Sequence, residues 1–168
     1  MSFPKPLTNE QRCALFGKFE YKHLPNPLSP ERILITDDWT KNLVKVPLGK
    51  LANLKPGVVN TWLHRLVAPK FEHLLLELEK ANCLKDILTF DGGYVSRFMR
   101  GRVGKLSSHA WGSAIDLNAR WNPLGRPGAK IGEQGYMGRV AEIAEANGWA
   151  WGGRWSRRDD MHLEVITL

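Results

Sequence analysis

Two short segments of the chain carry residue types that could hold a metal ion and hydrolyse a bond beside it. His109 and Asp116 lie seven positions apart, and His162 lies in the acidic segment 159–164. Imidazole nitrogens and carboxylate oxygens are both ordinary zinc ligands. Two histidines and one aspartate leave the fourth position of zinc open for water, as a hydrolytic zinc site requires. The three side chains are therefore candidate ligands of a catalytic metal.

The segment that ends the chain has the alternation of a β-strand. Met161, Leu163 and Val165 are apolar, whereas His162 and Glu164 are polar. Successive side chains of a strand point to opposite faces. We therefore expect the apolar set to pack in the core and the polar pair to face a cleft.

The other three histidines lack this context. His23 lies in a proline-rich stretch, and His64 and His73 fall in early segments without a matching carboxylate pattern. Histidine is often partly buried for structural reasons alone. We expect all three to have structural roles.

The pattern Ser107-x-His109-x-x-Gly112-x-Ala114-x-Asp116, followed by Asp159-x-x-His162-x-Glu164, closely resembles the zinc peptidases that act on bacterial cell wall. That family contains D-alanyl-D-alanine carboxypeptidases and dipeptidases, and the L-alanyl-D-glutamate endopeptidases found among phage endolysins. The resemblance extends over about residues 90–168 and is looser before residue 60. It implies an α+β fold shared with hedgehog domains, in which helices flank a small antiparallel sheet that carries the zinc site.

The resemblance also implies roles for individual residues. One Zn²⁺ per chain would be bound by His109, Asp116 and His162, and Asp159 would be the general base. Asp160 is the competing base, since it shares a strand face with His162, whereas Asp159 needs a turn to reach the site. Arg97 matches the family's arginine.

Arg97 could stabilise an oxyanion or hold a substrate carboxylate, and Arg100 competes with it for this role. Four further side chains are expected to contact substrate or to orient the metal ligands: Ser107, Glu164, Tyr94 and Trp111. Four tryptophans lie near the motifs in the sequence. They could line the cleft or pack in the core: Trp111, Trp149, Trp151 and Trp155.

Hydrophobic spacing predicts the elements that position these residues. Helices are expected at Asn9–Phe16 with Thr8 as N-cap, from about Trp62 to Asn82 with a break at Pro69, and from Met137 to Asn147. Strands are expected at 33–36, 87–90 and 114–117, with a final hairpin of 149–155 and 161–166 and a long loop over 121–135. We predict one domain, 1–168, with an N-terminal arm over 1–60 and a catalytic core over 61–168.

Composition restricts the class of protein. The 168 residues carry 24 Lys and Arg against 17 Asp and Glu, a net charge of +7. Two cysteines, Cys13 and Cys83, are too few for a disulfide scaffold and are expected to be reduced and buried.

No apolar run is long enough to span a membrane, and the N-terminus does not have the pattern of a signal peptide. We expect a monomer held in the bacterial cytoplasm until holin-type release.

The function predicted from these residues is hydrolysis of the peptide stems of peptidoglycan, by an L-alanyl-D-glutamate endopeptidase of the endolysin type. A D-alanyl-D-alanine carboxypeptidase is the alternative within the class. A non-catalytic, zinc-containing cell-wall-binding protein is the alternative outside it. Scattered positive charge alone gives little support for nucleic-acid binding, so the anionic wall is the expected partner.

Overall fold

The computed structural model describes residues 3–54 and 58–168. The described residues form three α-helices: α1 (Asn9–Phe16), α2 (Ala68–Lys80) and α3 (Gly138–Ala146). The strands are β1 (Tyr21–His23), β2 (Ile33–Ile35), β3 (Leu43–Pro47), β4 (Asn60–His64), β5 (Phe90–Gly92), β6 (Phe98–Met99), β7 (Arg102–Leu106), β8 (Ala114–Leu117), β9 (Trp149–Trp151) and β10 (His162–Val165). Helices combined with small antiparallel sheets confirm the predicted α+β class.

The largest sheet has four strands in the order β5-β8-β10-β9, and every neighbouring pair is antiparallel. Apolar side chains of β8, β9 and β10 pack with α2 and α3 in the core; the fully buried ones include Trp149, Ile115 and Leu163. The predicted strand at 114–117 and the final hairpin are confirmed, although β9 and β10 are shorter than the predicted arms. This sheet carries two of the three candidate ligands, Asp116 on β8 and His162 on β10.

Local sequence explains the helices. The side chain of Thr8 accepts a hydrogen bond from the amide of Gln11, and Gln11 bonds back to the amide of Thr8, which is a complete capping box. Pro69 lies in the first turn of α2, where its missing N–H costs no helical hydrogen bond. Phe71, Leu74 and Leu78 form the buried face of α2. The bounds of α1 agree with the prediction.

The predicted helix upstream of Pro69 is wrong. Residues 60–64 form strand β4, which pairs with β3 over five positions from Leu43–His64 to Pro47–Asn60. Thr61 and Leu63 are buried, whereas Trp62 is exposed. The stripe of Trp62, Leu63, Leu66 and Val67 satisfies a helical spacing only because the chain changes from strand to turn at His64.

Three smaller expectations also need correction. The strand predicted at 87–90 begins only at Phe90, since the amides of Leu88 and Thr89 donate to Asn118 Oδ1 instead of to a neighbouring strand. Met161 is half-buried and lines the cleft, because it lies in a turn before β10. Cys83 is buried and Cys13 is half-buried, and both are free thiols.

Among the described residues, no helix is both long enough and apolar enough to cross a membrane.

Candidate active site

Three different elements bring the predicted ligands together. His109 lies in a short 3-10 turn (Ser108–Trp111), Asp116 lies on β8, and His162 lies directly opposite Asp116 on β10. The Nε2 atom of His109 is 3.2 Å from Asp116 Oδ2, and the Nδ1 atom of His162 is 3.0 Å from Asp116 Oδ1. The two ring nitrogens are 3.2 Å apart. The two histidines approach different oxygens of Asp116, and one ligand atom from each of the three residues lies within 4.8 Å of the other two.

These separations suit a single bound metal ion. Ligand atoms placed about 2.1 Å from a tetrahedral zinc lie about 3.4 Å from one another. The two imidazole nitrogens, 3.2 Å apart, are close to that value, and each lies 3.0 to 3.2 Å from one oxygen of Asp116. Two imidazoles and one carboxylate also match the donor types that zinc accepts. The cluster could therefore hold a metal ion.

The backbone fixes the ring of His109. Its Nδ1 atom is 2.6 Å from the carbonyl oxygen of Gly93, which can only accept, so Nδ1 carries the proton and Nε2 presents its lone pair. The hydroxyl of Ser107 accepts a hydrogen bond from the amide of His109 and caps the turn. Gly112 ends the turn at a φ of 61°, and a Cβ there would lie 2.7 Å from the amide nitrogen of His64. Only glycine fits this position.

The ring of His162 is held by a second carboxylate. Its Nε2 atom is 3.2 Å from Glu164 Oε2 and 3.2 Å from the hydroxyl of Ser108. Glu164 in turn forms an ion pair with Arg12 of α1, with 2.5 Å between Arg12 Nη2 and Glu164 Oε1. The amide of Leu7 also donates to Glu164 Oε1 at 3.3 Å. The N-terminal arm therefore supports a candidate metal ligand.

Sequence reasoning did not find Arg12 or Ser108. Arg12 and Glu164 are 152 positions apart, so no local pattern links them. Ser108 directly precedes His109 in the first motif, and this adjacency is the sequence feature that could have indicated a role for it.

The charges of the cluster are strongly coupled. Burial alone would raise the pKa of Asp116, but the two histidines hold that pKa well below its usual range. Burial likewise opposes the ionised form of Glu164, yet the bond to His162 and the charge of Arg12 lower its pKa to about 2. Asp116 and Glu164 are therefore carboxylates, able to bind a cation and to accept a ring N–H.

The two candidate bases have different surroundings. The amide of His162 donates to the carbonyl of Asp159 at 3.0 Å, which closes a turn that brings Asp159 to the cleft. Asp159 Oδ1 is buried with no hydrogen-bond partner among the described residues. Burial raises the pKa of Asp159 above its usual range, against the opposing charge of His162.

Asp160 faces elsewhere. Its Oδ1 accepts a bond from Arg158 Nε at 2.9 Å, and its Oδ2 accepts from Arg158 Nη2 and from the amide of Gly128. Its two oxygens are thus engaged by a cation and a backbone amide, which is a structural role. The turn that Asp159 was expected to need is present, and it accounts for this difference between the two aspartates.

Arg97 and Arg100 both line the cleft, Arg97 half-buried and Arg100 exposed. Arg97 Nη1 donates to the carbonyl of Phe98 at 3.2 Å. Burial, with the nearby charge of Arg100, lowers the pKa of Arg97 from its usual value.

The aromatic candidates divide between core and cleft. Trp111 is fully buried, and its Nε1 donates to the carbonyl of Gly17 at 3.0 Å. Tyr94 packs against the core and does not line the cleft. The expectation that these two side chains contact substrate is therefore not supported. Trp149 and Trp151 are also buried, whereas Trp155 lines the cleft with its ring centroid 5.3 Å from that of His162.

The cleft above the cluster has a volume of about 470 Å³. It is lined by the side chains of the candidate ligands together with Asp159, Arg97 and Ser107. The N-terminal arm closes one side through Pro6, Leu7 and Arg12. Such a volume is in the range of sites for small ligands or short peptide segments.

Residues 100–165 match the family model for D-alanyl-D-alanine carboxypeptidase. The matched segment, which is less than half of the chain, contains the three candidate ligands and Asp159. It supports the zinc peptidase family and, with it, a peptidase activity. A search of curated proteins and a search of solved structures each gave no match.

Proposed function

We propose that this chain is a zinc-dependent peptidase that hydrolyses peptide stems of bacterial peptidoglycan. The observation that carries the proposal is the proximity of His109, Asp116 and His162 to a half-buried carboxylate, Asp159, in one cleft. Zinc bound by these three residues would polarise the scissile carbonyl and make water acidic enough to attack at neutral pH.

The residues of the chain would supply the remaining steps. Asp159 accepts a proton from the attacking water and later donates it to the leaving amine, and its raised pKa favours this second role. Arg97 carries a fixed positive charge on the cleft wall, where it can stabilise the oxyanion that develops on the carbonyl. Glu164 keeps the ring of His162 in the orientation that presents Nδ1. The presence of Asp159 and Arg97 in the cleft favours catalysis over a binding role.

Within this class, we propose the L-alanyl-D-glutamate endopeptidase, acting on the wall after release from the cell. The net charge of +7 suits adsorption to an anionic wall polymer. The second candidate is a D-alanyl-D-alanine carboxypeptidase, which the description of the matching family model favours.

Digestion of purified peptidoglycan by the zinc-loaded protein distinguishes these activities. The endopeptidase releases stems with a new N-terminal D-Glu, which amino-group labelling and mass spectrometry detect. Release of terminal D-Ala alone would assign the carboxypeptidase instead. The His109→Ala variant serves as the inactive control, and a digest in which neither product appears would contradict the proposed function.

A further inference from the structure

One wall of the cleft is strongly cationic. The hairpin formed by β6 and β7 contributes Arg100, Arg102 and Lys105, and the loop before β10 contributes Arg157. All four side chains line the same cleft as the candidate ligands. We call these four residues the cationic wall.

The backbone of the hairpin directs two of these side chains to the same side. In a regular strand, Arg102 and Lys105 would face opposite ways because they are three positions apart. Gly104 between them has a φ of 90°, and the pairing of β6 with β7 shifts register. This irregularity allows both side chains to line the cleft, and irregular pairing of this kind often re-aims a side chain near a site.

The turn of the hairpin is held from both sides. The amide of Gly101 donates to Glu31 Oε1 at 2.8 Å, and Nη1 of Arg157 donates to the carbonyl of Arg100 at 2.9 Å. Arg157 thereby joins the loop before β10 to the hairpin. The cationic wall is thus built on an anchored backbone.

The cationic wall has no salt-bridge partner within the part of the chain that the structure describes. Elsewhere on the surface, lysines pair with carboxylates, as in Lys41 with Asp38 and Lys80 with Glu77. Glu31 is close to Arg100, but its Oε1 is bonded to the backbone of the turn. Several like charges on one wall repel each other, and an anion bound among them would relieve that repulsion.

The acidic side chains of the cleft do not supply that anion. Asp116 and Glu164 are engaged by the histidines and Arg12, and Asp91 Oδ2 accepts bonds from Thr89 and from the amide of Ala119. Asp159 lies with the candidate ligands.

We propose that the cationic wall is a subsite for a free carboxylate of the substrate, which makes the enzyme selective for acidic peptides. The inference rests on the proposed function, because it places a second charged group of the peptide beside the bond that is cut. Guanidinium and ammonium groups bind carboxylates through charge-assisted hydrogen bonds.

Calorimetric binding tests this selectivity without requiring turnover. The probe is a short, uncleavable D-glutamyl peptide with two free carboxylates, compared with its diamide, at low ionic strength where exposed charges are least screened. The zinc-loaded protein should bind the acid form at least about tenfold more tightly than the diamide. The double variant Arg102→Gln/Lys105→Gln should lose about tenfold in affinity for the acid form and change little toward the diamide.

The matched control is Lys45→Gln, which removes one exposed positive charge from β3, outside the cleft. It should bind the acid peptide as the unmodified chain does. Equal affinity for acid and diamide, or an equal loss in the control, would overturn the subsite. Glycerol 3-phosphate forms a third arm, and tighter binding of this phosphate than of the acid peptide would overturn the assignment to carboxylates.

These outcomes are separate from those of the peptidoglycan digest. Selective binding of the acid peptide without any cleavage of peptidoglycan would support the subsite and reject the proposed function. Cleavage of peptidoglycan without selective binding of the acid peptide would support the proposed function and reject the subsite.

Discussion

Arg12 and Glu164 form a buried ion pair that ties the N-terminal helix to the candidate metal site. Their side chains are 7% and 3% exposed, and Glu164 also contacts Nε2 of His162. The arm of the chain before residue 60 thus acts on the site through one carboxylate. Carboxylates that orient a metal-bound histidine commonly change metal affinity by about 10- to 100-fold when lost.

We therefore expect Arg12→Met to weaken zinc binding by about 10-fold or more, because Glu164 loses the cation that fixes its orientation. Competition with a chromophoric chelator measures this affinity. Arg65→Met, at an exposed arginine outside the cleft, is the control and should bind zinc normally. Partial recovery in Arg12→Lys would support a role of the positive charge, and unchanged zinc affinity in Arg12→Met would contradict it.

The three candidate ligands should bind about one zinc ion per chain. His109→Ala, Asp116→Ala and His162→Ala should each lower the bound zinc to a small fraction, because two remaining ligands do not hold a catalytic zinc. Elemental analysis after dialysis against a weak chelator gives the stoichiometry. His73→Ala is the matched control at an exposed histidine outside the cleft. Full zinc content in the ligand variants would place the metal elsewhere.

Asp159→Asn should keep zinc and lose about 100-fold or more in kcat, since a general base typically contributes that much. Asp160→Asn is the informative comparison. It loses the negative charge that pairs with Arg158 and one of the two acceptor oxygens that bind Arg158 and the amide of Gly128, so it should unfold more easily and retain most of its turnover. Steady-state rates and thermal unfolding of both variants test this, and the opposite pattern would transfer the base to Asp160.

His64 makes folding sensitive to acid. It is buried against Phe16 and Trp39, its Nδ1 accepts from the amide of Leu66, and burial lowers its pKa to about 4. The unfolded chain, with a histidine pKa of about 6.5, binds more protons between about pH 6.5 and 4. The free energy of unfolding should therefore fall by about 3 kcal/mol as pH drops through this range.

Urea unfolding at several pH values, compared between the wild-type chain and His64→Asn, measures this contribution. Asparagine keeps an acceptor for Leu66 but does not titrate, so the variant should lose part of the pH slope even if it is less stable overall. The exposed His73 offers His73→Asn as a control with the wild-type slope. The same slope in His64→Asn and wild type would assign the acid sensitivity to other groups.

Elements coded by neighbouring residues could be predicted from the sequence. Helix α1 depends on a cap and capping box within four residues, and β8 depends on a short apolar run. Residues 60–64 could not be assigned in this way, because their pairing with β3 decides between strand and helix. Hydrophobic spacing alone does not carry that information.

The candidate site shows the same division. The residue types of His109, Asp116 and His162 make them candidate ligands, because zinc chemistry restricts the ligand types, and the resemblance of the two motifs to a zinc peptidase family carries the prediction of a metal site. The sequence favoured Asp159 through the resemblance and left Asp160 as its competitor, and only the structure shows the turn closing at His162 that brings Asp159 to the cleft. A strand pattern assumes regular alternation, and that assumption fails at the end of the strand.

By itself, the sequence determined the residue types of the candidate site, the α+β class and the excess of positive charge. Only the tertiary structure decided which residues support and surround that site. Arg12 reaches Glu164 across 152 positions, and the cationic wall combines a hairpin with a distant loop. Such contacts form when packing of the core brings remote segments together, so no local pattern of residues records them.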